Sequence, residues 1–151
     1  AQHIPLDIYP DERYIEIVQT MPHAVLQAAC SIIGTHIHIG MPDAETALRV
    51  YNRVRKNAPG FWLAGDHSDG ARRKLYEIVA PNFKAPEFRD WNDFYEDAVR
   101  NGYDTDLRKN WREVRIPRFG TIEFRMFGTT ADSAKIVDWS KQCYVLCKAS
   151  Q

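Results

Sequence analysis

Three stretches of the chain alternate apolar and polar residues one by one, and longer stretches repeat apolar residues every three or four positions. Strict alternation predicts half-buried strands; the longer period predicts amphipathic helices. In Gly34–Met41, Thr35, Ile37, Ile39 and Met41 fall on one face, with His36 and His38 on the other. In Thr121–Phe127, Ile122, Phe124 and Met126 oppose Glu123 and Arg125. In Trp111–Ile116, Val114 and Ile116 oppose Glu113 and Arg115. The turn Pro117-Arg118-Phe119-Gly120 is short enough to join the last two as an antiparallel hairpin. The alternation therefore predicts an α+β fold, with these three stretches in one antiparallel sheet and helices packed on its apolar face.

Elsewhere the period is helical or broken. Ala1–Pro10 reads as extended or irregular, interrupted by Pro5 and Pro10. Asp11–Thr20 fits a short helix capped by Asp11, with Tyr14, Ile15 and Val18 on one side, or a strand, since Tyr14, Ile15, Ile17 and Val18 favour sheets. Ala24–Ile33 is apolar and leads into the histidine strand without a clear break. Pro42 and Asp43 open the clearest helix, with Asp43 as cap, Ala47, Leu48, Tyr51 and Val54 inward, and Arg49, Arg53, Arg55 and Lys56 outward. Pro59-Gly60 ends it, and Phe61–Ala64 is a short buried segment. Gly65–Arg73 is a polar loop entering a helix, with His67 as a loop residue; Asn82–Phe88 is irregular. Asp90 caps another helix, with Trp91, Phe94, Tyr95 and Ala98 inward and Gly102 as its stop. Asp104–Asn110 is a charged connector. Thr129 or Thr130 caps a last helix, about Ala131–Cys147, whose face of Ile136, Trp139, Cys143 and Cys147 covers the back of the sheet.

Composition narrows the class. A length of 151 residues suits one domain. Twenty Lys plus Arg balance 20 Asp plus Glu, which argues against a general nucleic-acid binder. No apolar run approaches a membrane span, and Ala1–Pro5 lacks the basic and apolar regions of a signal peptide. Cys30, Cys143 and Cys147 read as reduced core residues, which points to the cytoplasm. If the three strands share a sheet, its polar face collects His36, His38, Glu113, Glu123, Arg115 and Arg125, with Gly34 and Gly40 leaving room around the histidines. Carboxylate and imidazole suit a metal, and guanidinium suits phosphoryl oxygens. The plain alternative is a strand carrying two half-exposed histidines.

The run Gly34-Thr35-His36-Ile37-His38-Ile39-Gly40-Met41-Pro42-Asp43-Ala44 resembles the G-x-H-V-H-[VI]-G-x-P-D-A signature of the carboxylate-amine ligases related to glutamate–cysteine ligase. Trp111-Arg112-Glu113-Val114-Arg115, followed by Gly120-Thr121-Ile122-Glu123-Phe124-Arg125, is similar to W-D-[IV]-R-P and G-T-[IL]-E-V-R there. Ala71-Arg72 resembles an S-A-R ending, and Asp90–Phe94 resembles T-W-S-D-F. The resemblance runs from Gly34 to the last helix.

It implies a glutamine-synthetase-like fold, whose curved antiparallel sheet holds ATP and divalent metal on its concave face. It implies a reaction in which ATP phosphorylates a carboxylate and an amine attacks the acyl phosphate. On that resemblance His36 and Glu123 ligate Mg²⁺ or Mn²⁺, and His38 lies near the ATP phosphates. Arg125 serves the transferring phosphoryl group, Arg115 a substrate carboxylate or phosphate, and Arg72 the nucleotide or acyl phosphate. Amino acids are the implied partners, and nucleic acid and membrane are not; a homo-oligomer is left open.

The chain also departs from the pattern. The serine-rich segment before Arg72 is largely missing, no G-x-E-x-E strand occurs, and Gly128 stands where the family's R-V-x-D ending has aspartate. The chain also stops soon after its last helix. These departures lead to the expectation of a shortened or fragmentary member with a reduced metal cluster. The other readings are a non-catalytic nucleotide-binding or assembly module, and a metal hydrolase built on His36, His38 and Glu123.

Overall fold

The computed structural model describes residues 11–151, so the expectation for Ala1–Pro10 lies outside the described residues. It is an α+β arrangement in which three strands, β1 (Thr35–Gly40), β2 (Val114–Arg115) and β3 (Thr121–Phe127), form one antiparallel sheet in the order β1-β3-β2. The helices are α1 (Glu12–Thr20), α2 (His23–Ser31), α3 (Ala44–Val54), α4 (Ala58–Gly65), α5 (Ala71–Val79), α6 (Trp91–Arg100) and α7 (Ser133–Lys148). Among the described residues no helix is long and apolar enough to cross a membrane.

The central strand β3 is buried on both faces from Ile122 to Phe127. Its apolar residues meet α4 and α7: the Phe61 ring stands edge-on to Phe124, and Phe127 stacks on Trp139 with centroids 4.9 Å apart. The amphipathic α3 adds Val50, Tyr51 and Val54, all with 1% exposure or less. Aromatic contacts of this kind add to the burial of apolar area, and together they make a single core.

One departure from strict alternation shapes the sheet. Thr35 pairs with Phe127 and Ile37 with Phe124, so the single residue His36 faces both Arg125 and Met126. That is a bulge on β3, and the extra residue reverses the phase of alternation. Phe127 therefore turns toward Trp139 and Phe61, although its number places it in the series of Glu123 and Arg125.

Several local expectations change. Asp11–Thr20 is a helix capped by the Asp11 carboxylate, yet none of its residues is buried. Ala24–Ile33 does break before the histidine strand: it is mostly α2, which ends at Ser31. Pro59-Gly60 ends nothing, because Pro59 sits in the first turn of α4, where a missing N–H costs no helical hydrogen bond. Within α4, Phe61 and Trp62 are buried but Leu63 is 87% exposed. Tyr95 points outward from α6. Asp132, not Thr129 or Thr130, caps α7, its carboxylate accepting from the N–H groups of Ala134 and Lys135. Cys143 and Cys147 are buried, and burial pushes the Cys147 thiol up to about 12, whereas Cys30 is exposed. The helices are not confined to the apolar face either, since α5 reaches the guanidinium of Arg125 with Tyr76.

A buried ion pair ties the irregular stretch after α5 to α6. The Arg112 guanidinium donates through Nη2 to both oxygens of Asp97, at 3.0 and 2.8 Å, and through Nη1 to the carbonyls of Asn82 and Lys84. Asp97 also accepts from the Tyr103 hydroxyl and from the Asn101 amide. Removing one partner of such a pair leaves the other buried and uncompensated. Arg112→Ala should therefore lower stability by about 3–5 kcal/mol in urea unfolding. A loss of about 1 kcal/mol or less would place the pair among weak surface bridges instead.

Candidate functional site

Glu123 is the centre of the polar face and is 1% exposed. It lies opposite His38 on β1 and Arg115 on β2. Its Oε2 accepts from Arg115 Nε at 2.5 Å. Its Oε1 lies 3.2 Å from His36 Nδ1 and 3.6 Å from Arg125 Nε. His38 Nε2 is 3.9 Å from Oε2, while His38 Nδ1 is 3.0 Å from the Thr121 hydroxyl. The sheet thus brings together His36, His38, Glu123, Arg115 and Arg125, with the two imidazoles half-exposed above a buried carboxylate.

Burial alone would raise the Glu123 carboxyl, but the close His36 imidazole, the Arg115 hydrogen bond and the charges of Arg115 and Arg125 outweigh it and hold it at about 2. One carboxylate set against two guanidinium groups leaves the site cationic, which favours an anionic ligand. Arg115 and Arg125 also share an acceptor: the Asn110 carbonyl takes Nη1 of both, at 2.8 and 3.0 Å. Among the described residues, no hydrogen bond of Arg115 uses Nη2, so one arm of its fork is open to a ligand.

Two expected members are elsewhere. Glu113 does not join Glu123; its Oε2 accepts from the Trp62 indole at 2.6 Å and its Oε1 from the Ala85 N–H at 3.4 Å. The ladder here is only two residues long, so alternation stops at Val114 and no longer dictates where Glu113 points. Burial pushes the Glu113 carboxyl above the usual carboxylate range. Arg72 is turned inward, donating to the carbonyls of Ile33, Met126 and Arg125 at 2.9, 2.9 and 2.7 Å. Each guanidinium nitrogen donates to main chain and the residue is only 6% exposed, so its geometry does not support a nucleotide contact. Gly34 explains part of this: a Cβ there would come within 2.4 Å of the Arg72 guanidinium. Gly34 admits Arg72 rather than opening space beside the histidines; of the two glycines flanking β1, Gly40 is the one beside open space.

Three contributors were not anticipated as site residues: Thr121, Tyr76 and Trp111. Thr121 could have been found, since it lies two residues before Glu123 in the same alternation. Tyr76 carried no such signal, because it comes from α5, far away in sequence.

The chain is an α+β domain whose small antiparallel sheet gathers carboxylate, imidazole and guanidinium groups on one face. No family model matches the chain, and no solved structure does. Among curated proteins, it is 30% identical over 136 residues to "Putative glutamate--cysteine ligase 2" of Paracidovorax citrulli, covering 81% of this chain and 36% of that one. It is 30% identical over 147 residues to the protein of that name from Herpetosiphon aurantiacus, covering 87% and 38%. The protein of that name from Gloeobacter violaceus is 31% identical over 121 residues, covering 70% and 32%. The chain belongs to this glutamate–cysteine ligase 2-like family, and it spans about a third of the length of these relatives.

The two carboxylates should act oppositely on stability. Glu123 titrates lower in the fold than its ordinary value of 4.5, so its contribution is full above about 4.5 and is lost as pH falls toward about 2. Glu113 titrates higher, so its contribution is full below its ordinary value of 4.5 and declines as pH rises through its folded value. Urea midpoints measured against pH should show Glu123→Gln removing the acid-side loss and Glu113→Gln removing the decline on raising pH. Profiles unchanged from wild type would contradict both assignments.

Proposed function

We propose that this chain forms the phosphate-facing part of an ATP-dependent carboxylate-amine ligase of the glutamate–cysteine ligase type. The observation that carries the proposal is the convergence of His36, His38, Arg115 and Arg125 on the one buried carboxylate of Glu123. In the proposed reaction a substrate carboxylate oxygen attacks the γ-phosphorus of ATP and ADP leaves. An amine nitrogen then attacks the acyl carbon, phosphate leaves, and the nitrogen loses a proton as the amide forms. Positioning and charge neutralisation supply most of the catalysis in phosphoryl transfer. The free Nη2 of Arg115 would contact an oxygen of the phosphoryl or carboxylate group. Arg125, only 6% exposed, would act from beneath Glu123.

A divalent cation fits this donor set in part. Glu123 Oε1 is buried without a hydrogen-bond partner and lies beside His36 Nδ1, so these two atoms would hold one side of Mg²⁺ or Mn²⁺. Such an ion would supply neutralising charge to the phosphate. Among the described residues, no group of three or more His, Cys, Asp or Glu side chains assembles as a metal site. Hard cations take six or more ligands, so the others would come from phosphate, water or further polypeptide. Metal–ATP binding to these 151 residues alone should accordingly be weak by calorimetry, and tight binding would show that the present donors suffice.

A second reading is a nucleotide-binding or assembly module without turnover. It is favoured by the hold of Arg115 on Glu123 Oε2, which occupies the oxygen a second metal contact would need. Phosphate release from ATP that requires both an amino acid carboxylate and an amine supports the ligase; binding without release supports the module. Within the ligase reading, Arg115→Lys keeps the charge but loses the fork. It should lower turnover by about 100-fold, the scale for losing one aligned donor, and change nucleotide affinity less. An equal loss in binding and turnover would assign Arg115 to ground-state binding alone.

A further inference from the structure

We propose that Trp111 and Tyr76 are positioning residues of this site, clamping the Arg125 guanidinium so that Glu123 Oε1 stays free for a ligand. The functional sense of this rests on the reading above; the geometry does not. Three rings meet edge to face, Trp62 with Tyr76 at 5.5 Å and Tyr76 with Trp111 at 6.3 Å between centroids, and the two guanidinium groups sit in the corners between them. The Arg72 guanidinium carbon lies 5.1 Å from the ring centroids of both Trp62 and Tyr76. The Arg125 carbon lies 6.0 Å from Tyr76 and 5.3 Å from Trp111. Guanidinium groups favour such placement over aromatic faces, and the attraction strengthens when water is excluded. The Arg72 side of this cluster is fixed, because Arg72 is tied to three main-chain carbonyls.

The Arg125 main chain is tied to Glu113 and Arg72, but its guanidinium is held less firmly. Among the described residues, the guanidinium's hydrogen bond runs from Nη1 to the Asn110 carbonyl at 3.0 Å. Its Nε is buried without a hydrogen-bond partner, and so is Glu123 Oε1, yet the two atoms are 3.6 Å apart. A donor and an acceptor left this close in a buried place would ordinarily close into a charge-assisted hydrogen bond. The ring faces hold the guanidinium just short of that. The consequence is an oxygen with an unused lone pair beside His36 Nδ1, where a divalent cation or a proton-bearing ligand group would bind. Without the clamp, Arg125 would settle onto Oε1 and occupy it.

The experiment reads the Arg125 Nε–H by nuclear magnetic resonance in the ligand-free 151-residue chain, assigned by its loss in Arg125→Lys. In wild type the proton should exchange slowly and be shifted upfield by the neighbouring rings. Trp111→Leu and Tyr76→Leu should move it downfield as it bonds to Glu123, while Trp111→Phe, which keeps a ring face, should leave it nearly in place. An unshifted proton in wild type overturns the clamp with no variant needed. A lowered melting temperature in Trp111→Leu with the Nε–H shift unchanged also overturns it, since that is the signature of packing alone. Titration of Mn²⁺ in the presence of ATP then separates the two claims. Loss of Mn²⁺ affinity in Trp111→Leu but not in Trp111→Phe supports the clamp's role. Equal affinity in all three, undetectable affinity included, overturns that role while the proton shifts still decide the clamp and phosphate release still decides the ligase reading.

Discussion

A carboxylate buried to 1% exposure has to be compensated, and Glu123 on the central strand is where this fold meets that demand. Each neighbouring strand sends it partners. His36 and His38 come from β1, Arg115 from β2, and Arg125 from two residues along β3 itself. If β1 slipped by one residue against β3, the histidines would move to the core face and Ile37 would meet the carboxylate. Register is therefore bound to charge compensation as well as to burial of Ile37, Ile122 and Phe124.

The bulge opposite His36 reconciles two demands on β3. The first part of the strand must give Glu123 and Arg125 to one side, while its end must give Phe127 to the aromatic cluster around Trp139. Regular alternation meets only one of these. The extra residue lets the same short strand do both, and it brings His36 beside Glu123 Oε1.

Residues of one chemical type have opposite fates here, decided by what packs against them. Glu123 is held ionised by guanidinium groups, whereas Glu113 is buried against an indole and titrates high. Arg115 keeps one arm free at the rim, while Arg72 gives its guanidinium to three carbonyls as a structural fastening. Arg125 lies between these two cases, buried like Arg72 yet adjacent to the carboxylate like Arg115.

The strand cores, the N-caps Asp11, Asp43 and Asp90, and the gathering of His36, His38, Glu123, Arg115 and Arg125 on one face are determined by the sequence itself. They follow from side-chain periodicity and local hydrogen bonding, which depend on near neighbours in the chain. The ligase resemblance was legible for a related reason, since its motifs lie within these strands and the relatives carry the same family name. Tertiary structure decided the rest. The diversion of Glu113 to Trp62, the inward turn of Arg72 past Gly34, the bulge at Arg125 and Met126, and the seating of Arg125 in the corner of Tyr76 and Trp111 all join residues from separate elements. No local period encodes such meetings; they depend on which surfaces fill the same space once the helices close around the sheet.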